Sequence, residues 1–118
     1  DDPQCIRTRE FVLSPENPFF YQGTALTGIG SPHTHKEWVW PIAVATQGLT
    51  TKDQESTFQS VRMIAETTAG TNHVHESIFC DDPELFTRPW FSWADSMFCL
   101  VTMKAVAPSE AALPKRPQ

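Results

Sequence analysis

The chain of 118 residues is within the size of one domain, and 40% hydrophobic and 19% charged residues, with four Trp and eight Phe, describe a globular composition. A formal net charge of -5 with scattered Lys and Arg excludes the basic stripe that neutralises phosphates, so nucleic acid is not an expected partner. The longest mainly apolar run, residues 97–107, is broken by Thr102 and Lys104 and falls short of the about 20 residues that cross a bilayer.

Ten Pro make the chain loop-rich. No Met opens it, and Asp1-Asp2-Pro3 has neither region of a secretory signal, so the N-terminus reads as an internal cut. Cys5, Cys80 and Cys99 are odd in number and lack a CxxC pair, which argues against a zinc knuckle or a full disulfide framework. They are expected to be buried free thiols, following the usual burial of Cys.

In chain order, residues 5–14 read as a short strand or extended arm, stopped by Pro15 and Pro18. Residues 15–37, with Gly23, Gly28, Gly30 and Pro32, read as one long ordered loop. Pro41 suits the first position of a helix whose Trp38, Ile42, Ala45 and Leu49 share a face, with Gly48 weakening its end. A second helix is expected from about Thr51, where Thr51-Lys52-Asp53-Gln54 fits a capping box, with Phe58, Val61, Ile64, Ala65 and Thr68 inward and Gly70 as C-cap. Pro89 opens a third, deeply buried helix with Trp90, Trp93, Ala94, Met97, Phe98 and Val101 as its apolar stripe. Residues 1–107 then form the folded part, and residues 108–118, with three prolines and no sustained periodicity, an exposed flexible tail.

The chemistry concentrates in Asn72-His73-Val74-His75-Glu76-Ser77, a linking segment with two imidazoles and a carboxylate in four residues. With His33 and His35, His75 and Glu76 compose a nitrogen and oxygen set able to bind a metal. That reading needs strands, on which alternate residues share a face, whereas the chain shows three helical patterns and one short β-like run. Alternatively, Glu76 is a catalytic carboxylate that activates water while a second carboxyl group protonates a leaving group; an arbitrary loop Glu is more often solvated or capping. The indoles of Trp38, Trp40, Trp90 and Trp93 can stack on sugar faces, although single Trp residues mostly pack in cores. Arg88 can fork onto a carboxylate or sugar hydroxyls, or serve a structural ion pair.

Taken together, Leu13-Ser14 with Asn17-Pro18, Gly28-Ile29-Gly30-Ser31-Pro32-His33-Thr34, Trp40-Pro41-Ile42, His75-Glu76-Ser77 and Thr87-Arg88-Pro89-Trp90-Phe91-Ser92-Trp93-Ala94 resemble glycoside hydrolase family 125 over residues 5–105. The resemblance implies an inverting exo-acting α-1,6-mannosidase that trims terminal mannose from oligosaccharides or N-glycans on an all-α (α/α)6 toroid. Twelve helices of about 11 to 12 residues with their loops need roughly 200 residues. Three expected helices therefore correspond to the C-terminal part of such a domain, inactive without its N-terminal remainder.

By motif, Glu76 matches the family's general base, and the acid, an Asp, lies upstream. His33 and Thr34 resemble the loop facing the non-reducing mannose, with Arg88 and Trp90 as further substrate-binding residues. No metal or other cofactor is needed, because acid, base and positioned water suffice for inversion. The chain departs from the usual motif at Asp95, where Asn is common, and at His35-Lys36-Glu37, where Pro and Gly are more usual. These changes bear on the shape of the sugar site and leave the base motif intact. Two rival readings stay open: a metal-dependent enzyme using His33, His35, His75 and Glu76, and a non-catalytic mannoside-binding module.

Overall fold

The structure, a computed structural model, describes residues 2–107, so the tail expected over 108–118 lies outside the described residues. The first element corrects the expected strand: residues Pro3–Val12 form helix α1. The Asp2 carboxylate accepts the Gln4 N–H at 2.7 Å and Pro3 presets the first turn, so capping chemistry overrides the β-branched and aromatic composition. No residue of α1 is buried. It is held to the next helix by Arg9, which donates to Thr50 Oγ1 at 3.0 Å and to the Gln47 carbonyl at 3.3 Å.

The expectation of one long loop over 15–37 is also corrected. Strands β1 (Phe20–Gln22) and β2 (Thr27–Ile29) pair antiparallel there, Tyr21 opposite Gly28. Strand β3 (Trp38–Val39) follows and leads directly into helix α2, Pro41–Thr50, with Pro41 in its first turn as expected. Helix α3, Gln54–Ala65, starts two residues after the capping-box reading placed it. Asp53, not Thr51, is the N-cap, accepting the Ser56 N–H at 2.9 Å and the Ser56 hydroxyl at 2.5 Å. The buried face of α3 is Thr57, Ser60 and Ile64; of the expected inward set, Ile64 is buried and Phe58 is exposed. Glu66 is the C-cap, and Gly70, at φ +71°, belongs to the turn beyond.

Strands β4 (Ser77–Phe79) and β5 (Asp82–Thr87) join β3 in an antiparallel sheet of order β3-β4-β5. Trp38 faces Phe79, Val39 faces Ile78, and Ser77 faces Thr87, with an irregularity at Ile78/Phe79. The described residues are thus four helices with small antiparallel sheets, so short strands accompany the helices where helices alone were expected. Strands β1 to β4, of two or three residues, are too short to impose a readable period, and six-residue β5 does not alternate in burial.

Helix α4 runs Ser92–Val106, three residues later than Pro89 implied, with Phe91 in extended backbone as its N-cap and the Pro89 carbonyl turned to His75. Only Ala94, Val101 and Ala105 on it are buried, while Trp93, Leu100, Met103 and Val106 are exposed. The deeply buried helix is corrected to one that packs a single stripe against α2 and α3. Those three helices meet at Gly48, where a Cβ atom would lie 2.6 Å from Val101 Cγ2 and 2.8 Å from Ser60 Cβ. Gly48 is therefore the crossing point rather than a weak end. Val39, Val44, Ile64, Ile78 and Val101 make one core that joins helices and sheet. Of the cysteines, Cys80 alone is buried, and burial pushes its thiol up, aided by nearby Asp81 and Glu37. Cys5 and Cys99 are exposed free thiols, against expectation.

Lys104 closes the C-terminal end of α2 from α4. Its ammonium donates to the carbonyls of Gly48 and Leu49, both at 2.9 Å, and to that of Thr51. These are the acceptors a helix end leaves without intrahelical partners. Lys104→Met keeps side-chain length but removes all three bonds, and is expected to lower the stability of the intact protein by about 2 kcal/mol in denaturant unfolding.

The Asp53 carboxyl is held below the ordinary aspartate range by the Ser56 hydroxyl first and the Ser56 N–H second. A depressed folded value means that its contribution is fully present above the unfolded value, near about pH 4, and is lost as pH falls through the folded one. Thermal unfolding of the parent and of Asp53→Asn is expected to differ most above that pH and to converge in acid.

Candidate catalytic carboxylate and its surroundings

The segment that carries Glu76 is pinned from both sides. His75 is fully buried, its ring stacked on Phe86 with centroids 3.8 Å apart and planes within 7°. Its Nδ1 lies 2.9 Å from the Pro89 carbonyl and its Nε2 3.2 Å from that of Thr68. This one side chain joins the turn after α3 to the β5–α4 connection. On the preceding residues, Asp95 Oδ1 accepts the Val74 N–H at 2.8 Å and Oδ2 pairs with His73 Nδ1 at 3.5 Å. The departure from Asn at Asp95 thus supplies an acceptor that faces both groups of the loop.

Glu76 itself immediately precedes β4, its N–H bonded to the Thr87 carbonyl at 3.2 Å. Its side chain is 17% exposed, and each carboxylate oxygen has one donor. Arg88 Nε lies 2.9 Å from Oε2, and Thr87 Oγ1 donates to Oε1 at 3.2 Å. A carboxylate offers about four acceptor positions, so two donors leave room for a water to be held and deprotonated. The Arg88 guanidinium lies 5.8 Å from the Phe91 ring centroid and is largely exposed. Its backbone is at φ +46°, uncommon for a residue other than glycine, and more so before proline, where extended backbone is preferred. Strained backbone of this kind concentrates at functional sites.

Register brings other predicted residues to the same end of the sheet. Val39 faces Ile78, so the chain beyond Val39, Trp40, runs beside the chain before Ile78, Ser77 and Glu76. Trp40 Nε1 donates to Thr34 Oγ1 at 2.9 Å, and Thr34 is tied to Ser31 through its own N–H, which anchors the 31–34 turn near the base of α2. His33 is exposed on that turn, its N–H bonded to Ser31 Oγ. Trp90 is 71% exposed and lies beside His73, ring centroids 5.6 Å apart.

The four residues of the metal reading do not converge. His75 is buried with both nitrogens against carbonyls, and His35 packs edge-on to Trp38, at the far end of the β3–β4 pair. Among the described residues no group of three or more His, Cys, Asp or Glu side chains could hold a metal. A groove of about 1090 Å³ between α1 and α2, lined by residues such as Cys5, Arg9 and Gln47, contains none of the predicted site residues.

Sequence reasoning missed Thr87 as a donor to the carboxylate, Ser77 as the hydroxyl in contact with Thr87, and Phe86 as the ring that seats His75. Thr87 and Ser77 lie inside quoted motifs, but nothing along the chain pairs residues ten or eleven apart; only the β4–β5 register does.

Residues 1–103 match the family model described as metal-independent alpha-mannosidase (GH125). A Schizosaccharomyces pombe protein, the meiotically up-regulated gene 157 protein, is 40% identical over 99 residues, covering 83% of this chain and 19% of the relative. A solved Streptococcus pneumoniae structure, from a family of metal-independent alpha mannosidases and in a non-productive complex with α-1,6-mannobiose, is 44% identical. It superposes with a TM-score of 0.87 over 89% of this chain and 25% of that one. This chain therefore spans about a fifth to a quarter of the length of these relatives. With residues 1–103 of the chain matched by the family model and 40% and 44% identity to these two relatives, the chain belongs to the GH125 family of metal-independent α-mannosidases.

Proposed function

We propose that residues 1–107 are the C-terminal part of the catalytic domain of an inverting exo-α-1,6-mannosidase, a glycoside hydrolase built as an (α/α)6 toroid, and that Glu76 is its general base. The observation that carries this reading is the Glu76 carboxylate: mostly buried, gripped by one donor on each oxygen, and still able to accept from water. The Streptococcus pneumoniae relative, solved in a non-productive complex with α-1,6-mannobiose, supports the choice of substrate.

In this mechanism Glu76 takes a proton from a water as its oxygen bonds to the anomeric carbon from the face opposite the leaving group. An Asp supplied by the rest of the domain protonates the glycosidic oxygen as that bond breaks, and β-mannose leaves. The two carboxyl groups of an inverting site stand about 6.5 to 9.5 Å apart, which leaves space for that water. Every step is proton transfer and displacement by groups of the protein, water and sugar, so no metal or cofactor takes part.

The remaining predicted residues divide by exposure. The Trp90 indole and the His33 ring stand exposed, and we assign them to contact with sugar. An indole face covers the apolar face of a pyranose, and an imidazole can donate to or accept from hydroxyls. Arg88 grips Glu76 through Nε and turns its outer N–H groups toward sugar hydroxyls, while Thr34 shapes the pocket wall through Trp40. The 118 residues by themselves are expected to release no mannose, since the acid and most of the pocket belong to the remainder of the domain.

In the intact protein, Glu76→Gln is expected to lower kcat on α-1,6-mannobiose by about 10³-fold or more while sugar affinity is kept, because the amide cannot take the proton. NMR of the parent reaction should show β-mannose as the first anomer, with the same rate in chelator. Near-normal turnover in Glu76→Gln overturns the assignment of the base, α-mannose overturns inversion, and chelator-sensitive release restores the metal reading. Binding without any release marks a mannoside-binding module.

A further inference from the structure

We infer that Ser77 and Thr87 form a hydroxyl relay that positions Glu76 for proton abstraction, an inference that rests on the reading of Glu76 as the base. Thr87 Oγ1 stands between the other two groups, 2.5 Å from Ser77 Oγ and 3.2 Å from Glu76 Oε1. A hydroxyl carries a single hydrogen, and an ionised carboxylate can only accept. Thr87 must therefore spend its hydrogen on Glu76, and the short contact to Ser77 is made by the Ser77 hydrogen. The order of donation is Ser77 to Thr87 to Glu76, each bond polarising the next.

Three features make this a positioning device rather than a surface contact. Ser77 is fully buried and faces Thr87 directly across β4 and β5, so no solvent competes for its hydroxyl. Thr87 also accepts the Glu76 N–H on its carbonyl, so one residue clamps the backbone and the side chain of the carboxylate together. Its β-branched side chain is stiff at χ1, and two hydroxyl contacts select a single rotamer. Arg88, the other partner of Glu76, is a long and largely exposed side chain. It supplies charge, whereas the direction of the carboxylate comes from Thr87. Ser77 and Thr87 are therefore positioning residues that act through Glu76.

The test uses the intact protein with Thr87→Val, Thr87→Ser, Ser77→Ala and the Ser77→Ala/Thr87→Val pair, beside Glu76→Gln. Thr87→Val is isosteric and is expected to lower kcat on α-1,6-mannobiose by about 10- to 100-fold, the cost of one hydrogen bond to a charged group, with KM within about twofold. Thr87→Ser should recover most of that loss. Ser77→Ala should lower kcat by about three- to tenfold in the parent but by less than about twofold in the Thr87→Val background, because both changes cut one chain.

Full kcat in Thr87→Val or in Ser77→Ala overturns the relay, as does additivity of the two. Thr87→Ser as damaged as Thr87→Val overturns it as well, since the hydroxyl is then not what matters. Should Thr87→Val melt below the assay temperature, Ser77→Ala, which keeps Thr87 in place, decides the question by the same kcat criterion. Full turnover in Glu76→Gln removes the base assignment and the relay with it, whereas an inactive Glu76→Gln beside a fully active Thr87→Val removes the relay alone.

Discussion

The three-stranded ladder β3-β4-β5 is the constraint on which the site depends. Val39 and Ile78, both essentially inaccessible to solvent, face each other across it and join the sheet to the helical core. Because β3 runs straight into α2, the ladder ties the start of that helix to the segment that carries Glu76. The β4–β5 pairing then sets Thr87 against Ser77 and delivers Arg88 to the same corner. A one-residue slip in this register would turn buried Ile78 outward and move Thr87 and Arg88 away from the carboxylate.

Around that corner, buried polar groups are placed so that each has a partner, as burial demands. His75 serves as a strut, stacked on Phe86 with its two ring nitrogens facing the backbone carbonyls of two separate connections. Asp95 does the same from α4, accepting from Val74 and facing His73. The result is a carboxylate whose neighbours in sequence cannot move independently of α3, α4 or the sheet. Preorganisation of this kind is what a general base requires, since the water it activates has to be met at one angle and one distance.

The outer surface tells a complementary story. Trp93, Leu100, Met103 and Val106 on α4 and Ile6 and Phe11 on α1 are exposed apolar side chains in a chain that covers a quarter of its solved relative. Packing accounts for only one stripe of α4, and that stripe is the one that meets α2 and α3 at Gly48. Small residues permit the close crossing, and Lys104 fills the acceptors left at the end of α2.

Pro41 at the start of α2, the helical spacing after residue 54 and the apolar repeat after residue 92 are legible as helices, because a 3.6-residue period is a local property of the chain. The cap at Asp53, in contrast, lies two residues beyond the Thr51 the pattern suggested. The motifs around Glu76, Arg88 and Trp90 likewise singled out the family and the carboxylate. Residues 5–14 carry the composition of a strand, and the signal for helix α1 lies just before them, in the cap Asp2 and in Pro3. Strands β1 to β4 are invisible in the sequence because two or three residues carry no period, and β5 because its burial runs in pairs and does not alternate. The sequence by itself determined which chemistry was on offer: one carboxylate, its arginine and the family pattern. Only the tertiary structure decided that Thr87 donates to that carboxylate with Ser77 against Thr87, that the His75 ring nitrogens face backbone carbonyls, and that among the described residues His33, His35, His75 and Glu76 compose no metal set. Those outcomes depend on strand register and helix crossing, which are set by burial shared among distant residues and are written in no local stretch of the chain.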